Sequence, residues 1–149
     1  MQEQIRAKIK EAMIAKDSVR LGVLRGILAS FTNELVAKGK TPQDTLGDED
    51  CLNVIRKLGK QRKDSIEQFE KGGRPDLADV EKAELAVIET FLPATMSKDE
   101  IRKIAEAKKA ELGITDKAKM GMLMGAVIKE AKGNADGADV KEIVESLFA

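Results

Sequence analysis

Three glutamates, Glu81, Glu84 and Glu89, are the side chains whose type and spacing first suggest chemistry. Glu81 and Glu84 are three residues apart, so on a helix they share a face. Two neighbouring carboxylates can divide general acid and general base work. Their surroundings argue against it: the stretch reads as an amphipathic, lysine-poor helix, where acids face water, and no apolar pocket signal surrounds the pair. Other chemistry is excluded by absence. The 149 residues contain no histidine and a single cysteine, Cys51. Ser–His and Cys–His catalysis are ruled out, as are an internal disulfide and zinc sites of the common kinds. No GxxxxGK[ST] phosphate loop occurs. We expect no metal, no cofactor and no enzyme activity from this chain alone.

Two further groups are suited to binding. The first is basic: Arg56, Lys57, Lys60, Arg62 and Lys63 spread over the outer face of one helix, opposite Ile55, Leu58 and Ile66. Such a run is ordinarily a solvated face, and its alternative is a contact for RNA or protein. Arg20 and Arg25 can add to it. The second is the segment KAKMGMLMGAVIKEAKGNADGADV, residues 117–140. Gly121 and Gly125 are four apart and share a helix face. The ordinary reading is close helix–helix packing; Gly22, Gly26 and Ser30 form a second stripe of this kind. Each internal glycine costs about 1 kcal/mol of helix stability against alanine, so packing or a partner must offset it. Gly133 follows Lys129 and Lys132 and suits the left-handed residue that stops a helix, with the lysines at the negative end of the dipole. Asn134, Asp136 and Gly137 then make a turn. It is either a plain connection or, with Lys132, a contact for a phosphate or backbone.

The elements that must position these groups are helices throughout. Ile5, Ile9, Ala12 and Met13 line a first helix; Leu21, Leu24, Leu28, Phe31 and Leu35 line a second, ending near Gly39. Cys51 or Leu52, Ile55, Leu58, Ile66 and Phe69 mark a third. After the turn Gly72-Gly73-Arg74-Pro75-Asp76, a fourth carries Leu77, Val80, Leu85, Ile88, Phe91 and Leu92. Pro93–Met96 reads as a linker. Ser97 with Glu100 is a capping box opening a fifth helix. A last helix is expected from about Asp139, capped with Glu142, to Leu147. The fold class is all-α, with a four-helix domain over residues 1–93 and a three-helix domain over 97–149.

Composition narrows the partners. Basic and acidic side chains number 26 each, which argues against non-specific nucleic-acid attraction, and no DNA partner is expected. The balance is local, however. Residues 1–75 carry 15 basic against 11 acidic side chains, and residues 76–96 carry one against five. All four aromatics, Phe31, Phe69, Phe91 and Phe148, fall on expected core faces, so base stacking is not the mode of any RNA contact. No apolar run of about 18 residues occurs, so no membrane span is expected. The charged start MQEQIRAKIKEA is unlike a signal peptide, and the expected location is cytoplasmic.

Three stretches resemble the YqeY-like family: LGKQRKDSIEQFEKGGRPDLADVEKAELAVIETFLP at 58–93, the 117–140 segment, and VRLGVLRGIL at 19–28. Gly22, Gly26 and Gly59 stand where that family more often has larger residues. The resemblance implies two helical parts and kinship with the tail of the B subunit of the tRNA-dependent amidotransferase, a tail that helps hold tRNA by its elbow. Gly121, Gly125, Lys132, Gly133, Asp136 and Gly137 are the positions it carries over as an RNA-facing surface. The parent's label, carbon–nitrogen ligase with glutamine as amide donor, has no catalytic cradle here. The implied role is a non-catalytic, tRNA-associated accessory module; the alternative is a protein-interaction module that docks on amidotransferase subunits or another protein.

Overall fold

The computed structural model describes residues 1–149. It contains seven α-helices, one short 3-10 turn and no strand. The chain divides into two compact units, Met1–Leu92 and Pro93–Ala149.

The first unit holds α1 (Gln2–Ile14), α2 (Ser18–Ala37), α3 (Asp48–Lys71) and α4 (Pro75–Glu89). Local signals set the ends. The Asp17 carboxylate accepts from the Arg20 amide at 3.0 Å and caps α2. At the other end Gly39 turns left-handed, and the Lys40 amide bonds back to the Leu35 carbonyl. Asp48, Glu49 and Asp50 occupy the first turn of α3, where the dipole favours acids. Pro75 opens α4, where its missing N–H costs nothing. The core is aliphatic around one aromatic: Ile5, Leu24, Ile27, Phe31, Leu35, Ile55 and Ile88 are fully buried or nearly so. The buried side chain of Gln2 accepts from the Leu46 amide at 2.9 Å, so a buried loop donor is satisfied.

Two expected core positions point outward. Met13 is 54% exposed, because α1 packs chiefly on α2 and its buried stripe is narrow, set by Ile5 and Ala12. Val80 is also 54% exposed. The inward stripe of α4 runs through Ala78, Glu81, Glu84, Leu85 and Ile88, and two of those are acids held toward α3 by an arginine. Buried Ala78 and Ile88 set that stripe, and pairing with Arg62 lets the two acids share it.

The second unit holds α5 (Lys98–Glu111), α6 (Met120–Glu130) and α7 (Gly137–Ser146), each packed on the other two. Ile101, Ala105, Ile114, Leu123, Val127, Val140, Ile143 and Val144 form its core. The expected capping box is present: the Glu100 amide donates to the Ser97 hydroxyl, and the Ser97 amide donates to the Glu100 carboxylate. That pairing with Ser97 lowers the Glu100 pKa below the usual glutamate range.

Candidate nucleic-acid interface

α6 is held on one side only. Leu123, Val127 and Ala131 are buried against α5 and α7, with Met120 and Met124 half-buried beside them. The 3-10 turn Lys117–Lys119 leads in, its first amides caught by Asp116, which accepts from Ala118 at 2.9 Å. The opposite face carries Gly121, Met122, Gly125, Ile128, Lys129 and Lys132, all exposed. A Cβ built on Gly121 or Gly125 would meet nothing within 4 Å. The close-packing expectation for this pair is therefore corrected, and the same holds for Gly22 and Gly26, which are equally open. These glycines bare the helix backbone to solvent. The one helical glycine at a close approach is Gly59, where a Cβ would lie 3.6 Å from Ile88 Cγ2.

The lysines end this bare strip. The carboxylate between them, Glu130, is turned away to Lys108 at 3.4 Å, and the ammonium groups of Lys129 and Lys132 stay exposed with no ion pair. The helix stops one residue earlier than expected. Ala131 is the C-cap, and Lys132 is already left-handed at φ 50°, followed by Gly133 at φ 77°. A lysine in that region is strained by its Cβ; Gly133 adopts it freely. The carbonyl of Asn134 accepts from the Met96 amide at 2.9 Å, tying the turn to the segment that enters α5. The Asp136 carboxylate accepts from the amides of Ala138 and Asp139, at 2.8 and 3.4 Å. Asp136 is thus the N-cap of α7, and the helix begins at Gly137 rather than near Asp139. Asp136 and Asn134 act on the turn's backbone, whereas Gly121, Gly125, Lys129 and Lys132 face outward.

The basic helix is less uniform than its sequence. Arg62 Nη1 donates to both oxygens of Glu81, at 3.1 and 3.0 Å, and lies 2.8 Å from Glu84 Oε2 in an ionic contact outside hydrogen-bond geometry. The acids expected to face water are instead the partners of Arg62, with side chains only 16% and 26% exposed. Arg62 is a strut between α3 and α4. Lys63 reaches Glu89 at 3.8 Å, and Arg56 bonds the Asn53 side chain at 3.1 Å. Lys57 and Lys60 alone of this group are exposed without a partner.

The YqeY-like protein family model matches residues 2–148. The chain belongs to that family. Its curated relatives include the yeast proteins called "Altered inheritance of mitochondria protein 41, mitochondrial". The Lachancea thermotolerans protein is 41% identical over 90 residues, covering 59% of this YqeY-like chain and 46% of the relative. The Eremothecium gossypii protein is 32% identical over 113 residues, 74% and 60% of the two chains. The Saccharomyces cerevisiae protein (strain YJM789) is 32% identical over 131 residues, 83% and 68%. The chain spans about half the length of the first relative it matches. The expectation of a cytoplasmic protein is corrected by these relatives, which are named as mitochondrial proteins.

Sequence reasoning overlooked Met122 and Ile128, 61% and 44% exposed beside the glycines, and Lys117 and Lys119 at the entry to α6. The signal was there. Once Leu123 and Val127 are taken as inward, the helical period turns Gly121, Met122, Gly125, Ile128 and Lys129 out together.

Proposed function

We propose that this YqeY-like protein is a non-catalytic accessory module that associates with tRNA through the outer face of α6. The observation that carries the reading is the bare backbone at Gly121 and Gly125, flanked by the unpaired Lys129 and Lys132. A helix that bears about 1 kcal/mol per internal glycine, with no packing in this chain to offset it, is suited to close approach by something outside the chain. A sugar–phosphate backbone fits: it needs a bare surface to come near and ammonium groups at the edge. Shape and phosphate contact suit a chain whose aromatics are all at least half-buried. Lys57 and Lys60 supply a second, weaker cationic surface in the first unit. Amide transfer is assigned to a partner enzyme and not to this chain.

The test is binding of the purified protein to labelled tRNA, with an RNA duplex of equal charge as control, at low and physiological salt. We expect selective tRNA binding that falls roughly tenfold to fiftyfold between about 50 and 200 mM salt, as a few phosphate contacts require. Lys132→Glu should abolish it with helicity unchanged. Equal binding to both RNAs would overturn the selective reading. No binding at either salt would favour the second reading, docking on an amidotransferase subunit or another protein, for which the exposed Met122 and Ile128 beside the glycines speak.

A further inference from the structure

The corner between α1 and α2 breaks three local rules at once. Ile14, the last residue of α1, is 84% exposed, with Met13 at 54% before it and Val19 at 46% in the first turn of α2. Lys16 is left-handed at φ 54°. It follows the cap of α1: the Lys16 amide donates to the Met13 carbonyl at 3.2 Å, and the Asp17 amide to the Ala12 carbonyl at 3.0 Å. Glycine is the usual residue at that position, and α2, α3 and α5 place Gly39, Gly73 and Gly113 there. Arg20 stands in the first turn of α2, where the dipole favours acids, and that turn has none. Departures from local rules concentrate where function demands them.

Nothing within the unit answers these side chains. All seven residues from Met13 to Val19 are exposed, so the corner is convex. Lys10, Lys16 and Arg20 make no ion pair, and Asp17 is engaged with the Arg20 amide. Lys10 lies one turn before Ile14 on the same face. Residues 6–25 carry six basic and two acidic side chains, whereas residues 26–92 carry ten and thirteen. The positive surplus of the first unit therefore lies at this end of it.

The combination identifies the occupant. RNA would pair with the cations and leave Ile14 and Met13 wet. A protein would need a pocket for the apolar tip and acids around its rim. An anionic bilayer offers an apolar layer beneath negative headgroups at every point of its surface, and a convex tip needs no groove to enter it. We infer that the α1–α2 corner is a peripheral membrane contact. Ile14, Met13 and Val19 enter the interface, and Lys10, Lys16 and Arg20 lie among the lipid phosphates, their stems along the apolar layer. So few side chains give reversible, salt-sensitive attachment.

Flotation of the full chain with phosphatidylcholine vesicles, with and without phosphatidylserine, tests it. Binding should be at least about tenfold stronger with the anionic lipid. Ile14→Asp should weaken it about tenfold. Lys16→Gly should weaken it about fivefold while raising the thermal melt, since glycine adopts the left-handed region freely. The chain has no tryptophan, so Ile14→Trp and Val80→Trp each carry a single reporter at an exposed position. On anionic vesicles the emission of Ile14→Trp should move to the blue and that of Val80→Trp should not. Absent binding, equal binding to both vesicles, or equal shifts at the two tryptophans would overturn the inference. So would binding that Ile14→Asp leaves unchanged, which is adsorption by charge alone. Loss of tRNA binding on Lys16→Gly with vesicle binding intact would assign the corner to RNA instead.

Discussion

Gly59 and the pair Gly121 and Gly125 are the same residue in the same kind of element, and they do opposite things. Gly59 is buried in α3, where the side chains of Ile88, Leu85 and Leu92 come within 3.6–3.9 Å of where its Cβ would be. Gly121 and Gly125 in α6 face open space. In the first case the missing side chain lets two helices approach. In the second it exposes a backbone. The basic residues divide in the same way: Arg62 is spent on Glu81 and Glu84 inside the first unit, while Lys57 and Lys60 one turn away are free. A helical glycine or a surface cation therefore has no fixed meaning; what the opposing helix brings to it decides.

Substitution at Gly59 should separate the two kinds of glycine most sharply. A methyl group would sit in ordinary contact, so Gly59→Ala should be tolerated. Gly59→Leu has no room for its branch and should cost about 2 kcal/mol in urea unfolding, as overpacked cores do. A Gly59→Leu protein as stable as the parent would mean that α3 and α4 are not fixed at this crossing.

Arg62→Ala is next in size. It leaves two half-buried carboxylates side by side with no cation. The expected cost is about 1–2 kcal/mol, below that of a fully buried pair because Arg62 is itself 36% exposed. Lys57→Ala and Lys60→Ala should stay within about 0.5 kcal/mol in the same unfolding series. Equal effects from all three would erase the distinction between strut and free cation.

Gly125→Ala is the smallest change and has the opposite sign. With nothing near the new methyl group, it should stabilise the chain by about 1 kcal/mol through helix propensity. Under the proposed function it should also weaken tRNA binding in the filter assay. A substitution that strengthens the fold while weakening the contact is the signature of a surface kept bare for a partner. Destabilisation in the thermal melt would instead mean that α6 packs on something at this face.

Much of the architecture was legible because it depends on local rules. The 3.6-residue period gave all seven helices, since each buries one stripe. Ser97 with Glu100 and the stop at Gly39 were readable because caps are made by neighbours in sequence. Legibility failed where a residue's role was set across space. Val80 reads as core, yet the inward stripe of α4 runs through Ala78, Leu85 and Ile88, with Glu81 and Glu84 paired to Arg62 beside it, so Val80 faces out. Asp139 reads as a cap, yet Asp136 has its carboxylate 2.8 Å from the next free amide and takes the position first. In the candidate site, Lys129 and Lys132 were visible as cations, but only the fold shows that no carboxylate pairs with them, the neighbouring Glu130 lying at Lys108.

The sequence by itself determined an all-α chain of the YqeY-like family without the histidines or paired cysteines of common catalytic sites. Composition, period and capping are properties of the chain alone and need no partner. Only the tertiary structure decided which glycines pack and which lie bare, and which basic groups are struts and which are available. Those roles follow from distances of 3–4 Å between residues far apart in sequence, because contact, burial and ion pairing are short-ranged and depend on what the fold brings opposite.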